Sequence, residues 1–211
     1  NISVTPSEQK ELVDQLLDMP TLPQLDLPEE LRLEEVKATP LPSLTLKSPR
    51  TKGWRHERLT GVVEFDYEGA VVPGASSQWA IVQREQGRCI LRDRDRETGS
   101  WAQLKEAGFR RLLDHRQTMH DVEIPVGDLA TAVRKLIPHG WSVKADGKQI
   151  RQGTALQFRV RTGIDWFELG GDADFDGIKA SFPELLAALK RGDNTIRLDD
   201  GSLGILPEDW L

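Results

Sequence analysis

The sequence predicts an α+β fold: short antiparallel strands arranged in meanders, a few short helices, and a Pro/Leu-rich N-terminal arm ahead of them. Three observations lead there. Runs of about four to eight residues rich in Val, Ile, Leu and aromatics recur between Gly-containing turns, as antiparallel strands do. Separate stretches repeat their apolar residues at helical spacing and carry helix start and stop residues. Seven of the 12 prolines lie at or before Pro49, which sets the first 50 residues apart from the rest.

Taken in order, residues 5–18 predict a helix, with Thr5 as N-cap, Pro6 in the first helical position, Glu8 three residues after the cap, and Leu12, Val13, Leu16 and Leu17 at helical spacing. From Met19 to Pro28 repeated proline forbids continued helix and favours an extended arm with Leu22, Leu25 and Leu27 free to dock. Strands are expected over 33–38, 41–47, 61–67, 79–84 and 89–92, with Gly69, Gly74 and Gly87 in the turns between them. Helices follow at 94–107, ended by Gly108, and at 126–137, where Leu129, Val133, Leu136 and Ile137 share a face ahead of Pro138.

From Trp141 the pattern becomes more regular. Strands are expected over 141–145, 156–162, 166–169, 178–181, 195–198 and 203–206, and 156–162 alternates apolar and polar residues with period two. Phe182–Arg191 reads as a short helix with Pro183 at its start, Lys190 and Arg191 in its last turn and Gly192 at its end. The chain therefore divides into an N-terminal helix and Pro-rich arm (1–53), an α+β unit (54–140) and a second α+β unit (141–211).

Composition narrows the function classes. With 211 residues there is room for one large or two small domains, and 38% hydrophobic with 29% charged residues excludes a disordered chain. No apolar run is long enough for a bilayer span, so no membrane partner is expected. The net charge of -6 argues against a domain devoted to neutralising phosphates, while leaving room for a local basic patch. Cys89 is the one cysteine, which rules out an internal disulfide and a Cys-rich zinc module and makes a cytoplasmic location the default expectation. The chain starts at Asn1 without Met and stops just after the helix-start residues Pro207-Glu208-Asp209, so it reads as a fragment of a larger protein.

The last third contains a series of words: Thr162-Gly-Ile-Asp-Trp-Phe-Glu-Leu169, Phe175-Asp-Gly-Ile178, Leu185-Leu-Ala-Ala-Leu-Lys-Arg-Gly192 and Ile196-Arg-Leu-Asp-Asp-Gly-Ser-Leu-Gly-Ile-Leu-Pro-Glu-Asp-Trp-Leu211. In this order they resemble the helicase-associated region that precedes the motor in bacterial Swi/Snf-type helicases. Phe65-Asp-Tyr-Glu-Gly69, and Arg92-Asp93 followed by a helix ending at Gly108-Phe109, are similar to earlier blocks of that family. The resemblance covers 141–211, reaches back more weakly to residue 60, and leaves the first 50 residues unmatched. It implies a non-catalytic accessory or regulatory region that positions the motor or contacts a nucleic-acid or protein partner. The downstream ATPase motor of the same parent chain is the implied partner, met through Trp210 and Leu211. The phosphate-binding Gly-x-x-x-x-Gly-Lys-Thr loop and the Asp-Glu-x-His box of such motors do not occur in the sequence, so ATP hydrolysis by this chain and a bound cofactor are not expected. A stand-alone binding module, and a small hydrolase using Asp165, Asp199 or Asp200, are the competing readings.

Individual residues refine these readings. Lys47 to Arg58 contains five basic residues, one acidic residue and Trp54; Lys52, Trp54, Arg55 and Arg58 are the candidate contacts to DNA or RNA, against the plainer reading of a solvated loop anchored by Trp54. A second basic stretch, from Arg84 to Arg116, includes Arg92-Asp-Arg-Asp-Arg-Glu97, whose alternating charges neutralise one another. Asp172-Ala-Asp-Phe-Asp-Gly177 matches the first half of a calcium loop, but Pro183 stands where the closing carboxylate belongs, so a turn between strands is the stronger reading. Asp-Asp-Gly at 199–201 and Gly-Ile-Asp at 163–165 are natural turn and strand-entry residues. His56, His115, His120 and His139 have no metal-ligand spacing, and Cys89 reads as an inert buried thiol. Trp141 and Trp166 are assigned to the core, and Trp210 is expected to be exposed.

Overall fold

The computed structural model describes residues 33–48, 58–112, 120–162 and 167–207, with Gln15 and Trp210; in 155–162 and 167–169 it describes the backbone and the side chains of Gln157 and Arg159 alone. The helix expected over 5–18, apart from Gln15, and the extended arm over 19–28 lie outside these residues.

The fold is α+β. In chain order the strands are β1 (Glu34–Lys37), β2 (Leu41–Lys47), β3 (Arg58–Tyr67), β4 (Ala70–Pro73), β5 (Ala80–Gln83) and β6 (Arg88–Leu91). Helix α1 (Arg94–Glu106) follows, then β7 (Arg110–Arg111), β8 (Val122–Pro125) and α2 (Leu129–Leu136). The remainder comprises β9 (Ser142–Ala145), β10 (Lys148–Gln152), β11 (Ala155–Thr162), β12 (Phe167–Phe175), β13 (Ile178–Ser181), α3 (Phe182–Arg191), β14 (Thr195–Arg197) and β15 (Leu203–Ile205).

Nine of these strands form one sheet in the order β14-β15-β10-β9-β2-β3-β8-β7, with β4 paired to part of β3. Strands β1, β6 and β5 form a second sheet, and β11, β12 and β13 a third. Antiparallel hairpins dominate, as expected, but three pairings are parallel: β1 with β6, β2 with β9, and β10 with β15. Sequence neighbours do not reveal these, because a parallel partner must be reached by a long crossover. Strands β4, β7, β8 and β10 were not expected from the sequence; β10, Lys-Gln-Ile-Arg-Gln, is too polar to read as a strand and owes its state to its partners on either side. The large sheet runs across residues 140 and 141, since β9 pairs with both β2 and β10.

Strand β3 sets the two faces of that sheet. Leu59, Gly61, Val63, Phe65 and Tyr67 are buried and every intervening residue is not, the period-two pattern of a strand with one face on the core. Onto that face pack Leu104 and Ala107 at α1 and Ala130, Ala132, Val133 and Leu136 of α2, forming the main core with Leu44, Leu46, Trp141, Val143 and Ile150. A second core gathers Ala173, Phe175, Ala180, Leu185, Ala188, Ile196, Leu198 and Leu206 between the β11–β13 sheet, α3 and the last strands.

Helix ends follow the chemistry of their residues. The Asp93 side chain accepts from the Arg96 N–H at 3.0 Å to start α1, and Gly108 at φ +102 releases the chain after it. At α3 the Glu184 carboxylate accepts from the Ser181 N–H at 2.9 Å and its hydroxyl at 2.6 Å, which holds that carboxyl below the usual range, and Gly192 closes the helix at φ +73. The α2 region is a short α-helix flanked by 3-10 turns at Val126–Asp128 and Ile137–His139, with the missing-donor residue Pro138 in the second.

Candidate functional site

The face of the large sheet opposite the core is mixed, with Leu41 of β2 and Val71 of β4 exposed on either side of Asp66 and polar residues along the rest. It presents Ser43, Thr45 and Lys47 from β2 and Arg58, Thr60, Val62, Glu64 and Asp66 from β3, all outside the buried alternation. Register aligns Lys47 with Thr60, Thr60 with Glu123 of β8, and Glu123 with Arg110 of β7, so these four residues form one row across four strands. Thr45 pairs with Lys144 of β9 on the other side of β2. Lys47, Lys144 and Arg110 are exposed.

Glu123 organises this corner. It is buried, and Arg110 Nε donates to its Oε1 at 2.6 Å, with Nη2 on the same oxygen. Arg58 Nε lies 3.1 Å from that oxygen as a charge pair without a hydrogen bond. Two guanidinium groups thus share one carboxylate and leave a surplus positive charge at the surface. Of the sequence candidates, Lys52, Trp54 and Arg55 lie outside the described residues and Arg58 is here. The segment's departure point is fixed, because Asp146, in the β9–β10 turn, accepts from the Ser48 N–H at 3.0 Å and hydroxyl at 2.5 Å. Those bonds lower the Asp146 carboxyl below its ordinary value.

At the other end of β3 a second set of charges is buried. Arg92 Nε and Nη2 donate to Glu97 Oε1 and Oε2 at 2.8 and 2.9 Å, and the Tyr67 hydroxyl donates to Oε1 at 2.7 Å. Arg94 Nη1 reaches Oε2 at 3.1 Å, while Arg92 Nη1 donates to the carbonyls of Ser76 and Gln78 at 3.0 and 2.7 Å. The Tyr67 oxygen also accepts from the Asp93 N–H at 3.0 Å. Burial, reinforced by Glu97, pushes the Tyr67 hydroxyl far above its usual pKa. The charges of Arg92-Asp-Arg-Asp-Arg-Glu97 do neutralise one another, but not as a solvated run. The Arg92 side chain is fully buried and that of Glu97 is 3% exposed, because α1 begins between them and turns both toward β3 and the 76–78 loop.

Of the carboxylates considered for catalysis, Asp200 holds a turn together. Asp200 Oδ1 accepts from the Ser202 N–H at 2.9 Å and from its hydroxyl, and Oδ2 accepts from Arg151 Nη2 at 3.2 Å, which together hold its pKa below the usual value. A general acid needs the opposite shift. Asp199 is exposed in the same turn, and Asp165 lies outside the described residues. In the calcium-like stretch, Asp176-Gly177 forms a two-residue hairpin turn with φ of +53 and +85, and Asp174 Oδ1 accepts from the Gly177 N–H at 2.9 Å. Asp172 instead pairs across strands with Lys179 at 3.2 Å. Among the described residues no group of three or more His, Cys, Asp or Glu side chains could hold a metal ion.

Trp141 is in the main core, its indole N–H donating to Gln103 Oε1 at 2.8 Å, and Cys89 is buried in β6, where burial raises its thiol pKa. Trp166, Leu211, His56 and His115 lie outside the described residues. The expectation that Trp210 is exposed is corrected: its ring meets Phe175 edge-on, centroids 6.5 Å apart and planes at 86°, and it packs against the second core. The attraction is that of an aromatic edge for an aromatic face.

No protein-family model, curated protein or solved structure matches the chain.

The residues that sequence reasoning missed are Lys144 and Arg110 on the open face. Arg110 belongs to the basic stretch from Arg84 to Arg116, but the sequence does not show which strands it and Lys144 join; Lys144, 97 positions after Lys47, stands beside Thr45, one row from Lys47, only through the parallel β2–β9 pairing.

Proposed function

We propose that this chain is a non-catalytic accessory region of a bacterial Swi/Snf-type ATPase, acting in the cytoplasm to position or regulate the motor. The observation that supports it most is how the resembling words are used. Asp176-Gly177 makes a hairpin turn, Leu185 and Ala188 of α3 line the second core, Gly192 ends α3, and Asp200-Gly201-Ser202 makes the turn before β15. Residues used for turns, caps and packing favour a scaffold over a reaction centre. Among the described residues, no helix is long and apolar enough to cross a membrane. The basic corner also supports the second reading, a stand-alone binding module, because it lies wholly within this chain.

The test is to fuse the chain through Leu211 to a bacterial Swi/Snf-type motor and compare ATP turnover with that of the motor alone. A several-fold change in the DNA-stimulated rate, with no turnover by the isolated chain, is the expected result. An unchanged rate refutes the accessory role and leaves the binding-module reading; turnover by the isolated chain refutes both.

A further inference from the structure

We propose that the outer face of the β1-β6-β5 sheet is the docking surface for the Pro/Leu-rich arm of this same chain, residues 20–28. This goes beyond the motor reading and stands without it.

The two faces of this small sheet differ in what they meet. Register sets Val36, Ile90 and Ile81 in one row across the three strands, and that row packs into the main core. The rows on either side of it, Glu35-Cys89-Val82 and Lys37-Leu91-Ala80, point the other way. Cys89, Val82, Leu91 and Ala80 gather there with Leu33 and Trp79 in a third apolar cluster, separate from the two cores. Leu33, Trp79, Val82 and Leu91 are only partly buried, so their apolar surface is not closed off. Glu35 and Lys37, both exposed, border the face along β1.

The occupant follows from where the chain enters. Leu33 is a member of the cluster, and the arm ends five residues before it. From Pro20 to Pro28 the arm holds Leu22, Leu25 and Leu27 with a single charge, Asp26. Pro20, Pro23 and Pro28 preset an extended path, which lowers the ordering cost of laying it on a surface. The face is about 13 Å long, the rise from Leu33 to Lys37, and about 10 Å across its three strands. Leu22 to Leu27 spans roughly 16 Å in an extended proline-type path, which matches that length. Leu27 can lie up to about 20 Å from Leu33, enough for the arm to turn back over the face. A face of this size is far below the roughly 800 Å² per partner that a stable association of two proteins buries. A segment already attached beside it works at an effective concentration on the order of millimolar. Both points favour the arm over a second copy. The 49–57 segment, with Arg50, Lys52, Arg55 and Glu57, is too charged for this face, and 5–18 is farther along the chain from Leu33 than the arm is.

Cys89, the one cysteine, lies on this face and reports on its cover. The experiment measures, in the full 211-residue chain at fixed pH, how fast Cys89 reacts with an aromatic disulfide reagent. Leu22→Ser/Leu25→Ser/Leu27→Ser, which leaves every described residue in place, is expected to react about tenfold faster or more, with faster amide exchange in β5 and β6. Leu12→Ser/Leu16→Ser, a change within 5–18, is expected to stay within about twofold of wild type. A benzophenone amino acid in place of Leu25 locates the arm directly and does not depend on the stability of the serine variants. Light is expected to join it to residues 33–37 or 79–91 of the same chain, read by mass spectrometry on mixed isotope-labelled and unlabelled protein. The proposal is overturned if the arm variant reacts at the wild-type rate, if the 5–18 variant speeds the reaction as much, or if the crosslinks fall elsewhere on the chain or join two chains.

Discussion

Replacing Glu97 by Gln is a severe test of the buried charge network, because the two side chains have nearly the same shape. Glu97 accepts from Tyr67, from Arg92 twice and from Arg94, at 2.7 to 3.1 Å. An amide supplies one oxygen and turns two N–H donors toward groups that are themselves donors. If the amide nitrogen takes the Oε2 place it faces Arg92 Nη2 and Arg94 Nη1; if it takes the Oε1 place it faces Arg92 Nε and the Tyr67 hydroxyl. In both cases the Arg92 guanidinium, whose side chain has no exposed surface, loses its counter-charge. Breaking a buried pair in this way costs about 3 to 5 kcal/mol, a large share of the roughly 5 to 15 kcal/mol that holds a typical domain folded. For a chain of this size that corresponds to a fall in Tm of about 6 to 20 °C. Equilibrium urea unfolding followed by tryptophan fluorescence measures it. The Arg191–Asp193 pair makes the comparison: its donor and acceptor are also 2.8 Å apart but 63% and 46% exposed, so Arg191→Ala is expected to cost less than about 1 kcal/mol. Combining Arg92→Met with Glu97→Gln is expected to cost less than the two single changes added together, since the orphaned charge is then gone. A loss below about 1 kcal/mol in Glu97→Gln refutes the claim that this network ties β3, α1 and the 76–78 loop together.

Two further predictions follow from single residues. Tyr67 is the one tyrosine of the chain, and its folded pKa is raised by burial and by Glu97; the stability from that shift is whole below the unfolded value of about 10 and is lost as pH climbs above it toward the folded value. Phenolate absorbance is therefore expected to appear together with unfolding, and Tyr67→Phe to flatten the alkaline part of the stability curve; phenolate formation in the folded chain near pH ~10 refutes this. At Gly204, an added methyl would lie 2.7 and 2.8 Å from the Phe175 ring and 3.0 Å from Ile196, so Gly204→Ala is expected to destabilise by about 1 to 3 kcal/mol in a thermal melt. An unchanged melt means that the fully buried Phe175 ring can shift, contrary to its packing against Trp210.

Much of the local structure was legible because its causes are local. The strand over 41–47, the strand over 178–181 and the helix Phe182–Arg191 have the bounds read from the sequence, since alternation, a Ser181–Glu184 start, Pro183 and a left-handed Gly192 act within a few residues. The end of the calcium-like stretch resolved into a hairpin turn for the same reason: Asp176-Gly177 readily takes the positive φ at both residues that a two-residue turn needs. Partnership was a different matter. A polar segment such as Lys-Gln-Ile-Arg-Gln becomes a strand only when β9 and β15 supply hydrogen-bonding edges, and parallel neighbours leave no mark on the residues between them. Charge had the same dependence. Arg92 and Glu97 read as ordinary surface residues until the fold placed them under the 76–78 loop, where low dielectric and fixed geometry turn a minor ion pair into a costly one to break. Arg58 was legible as one member of a basic segment, whereas its company on the open face was not. Lys144 and Arg110 join it through sheet register, and register is decided by which faces bury their apolar residues across the whole chain.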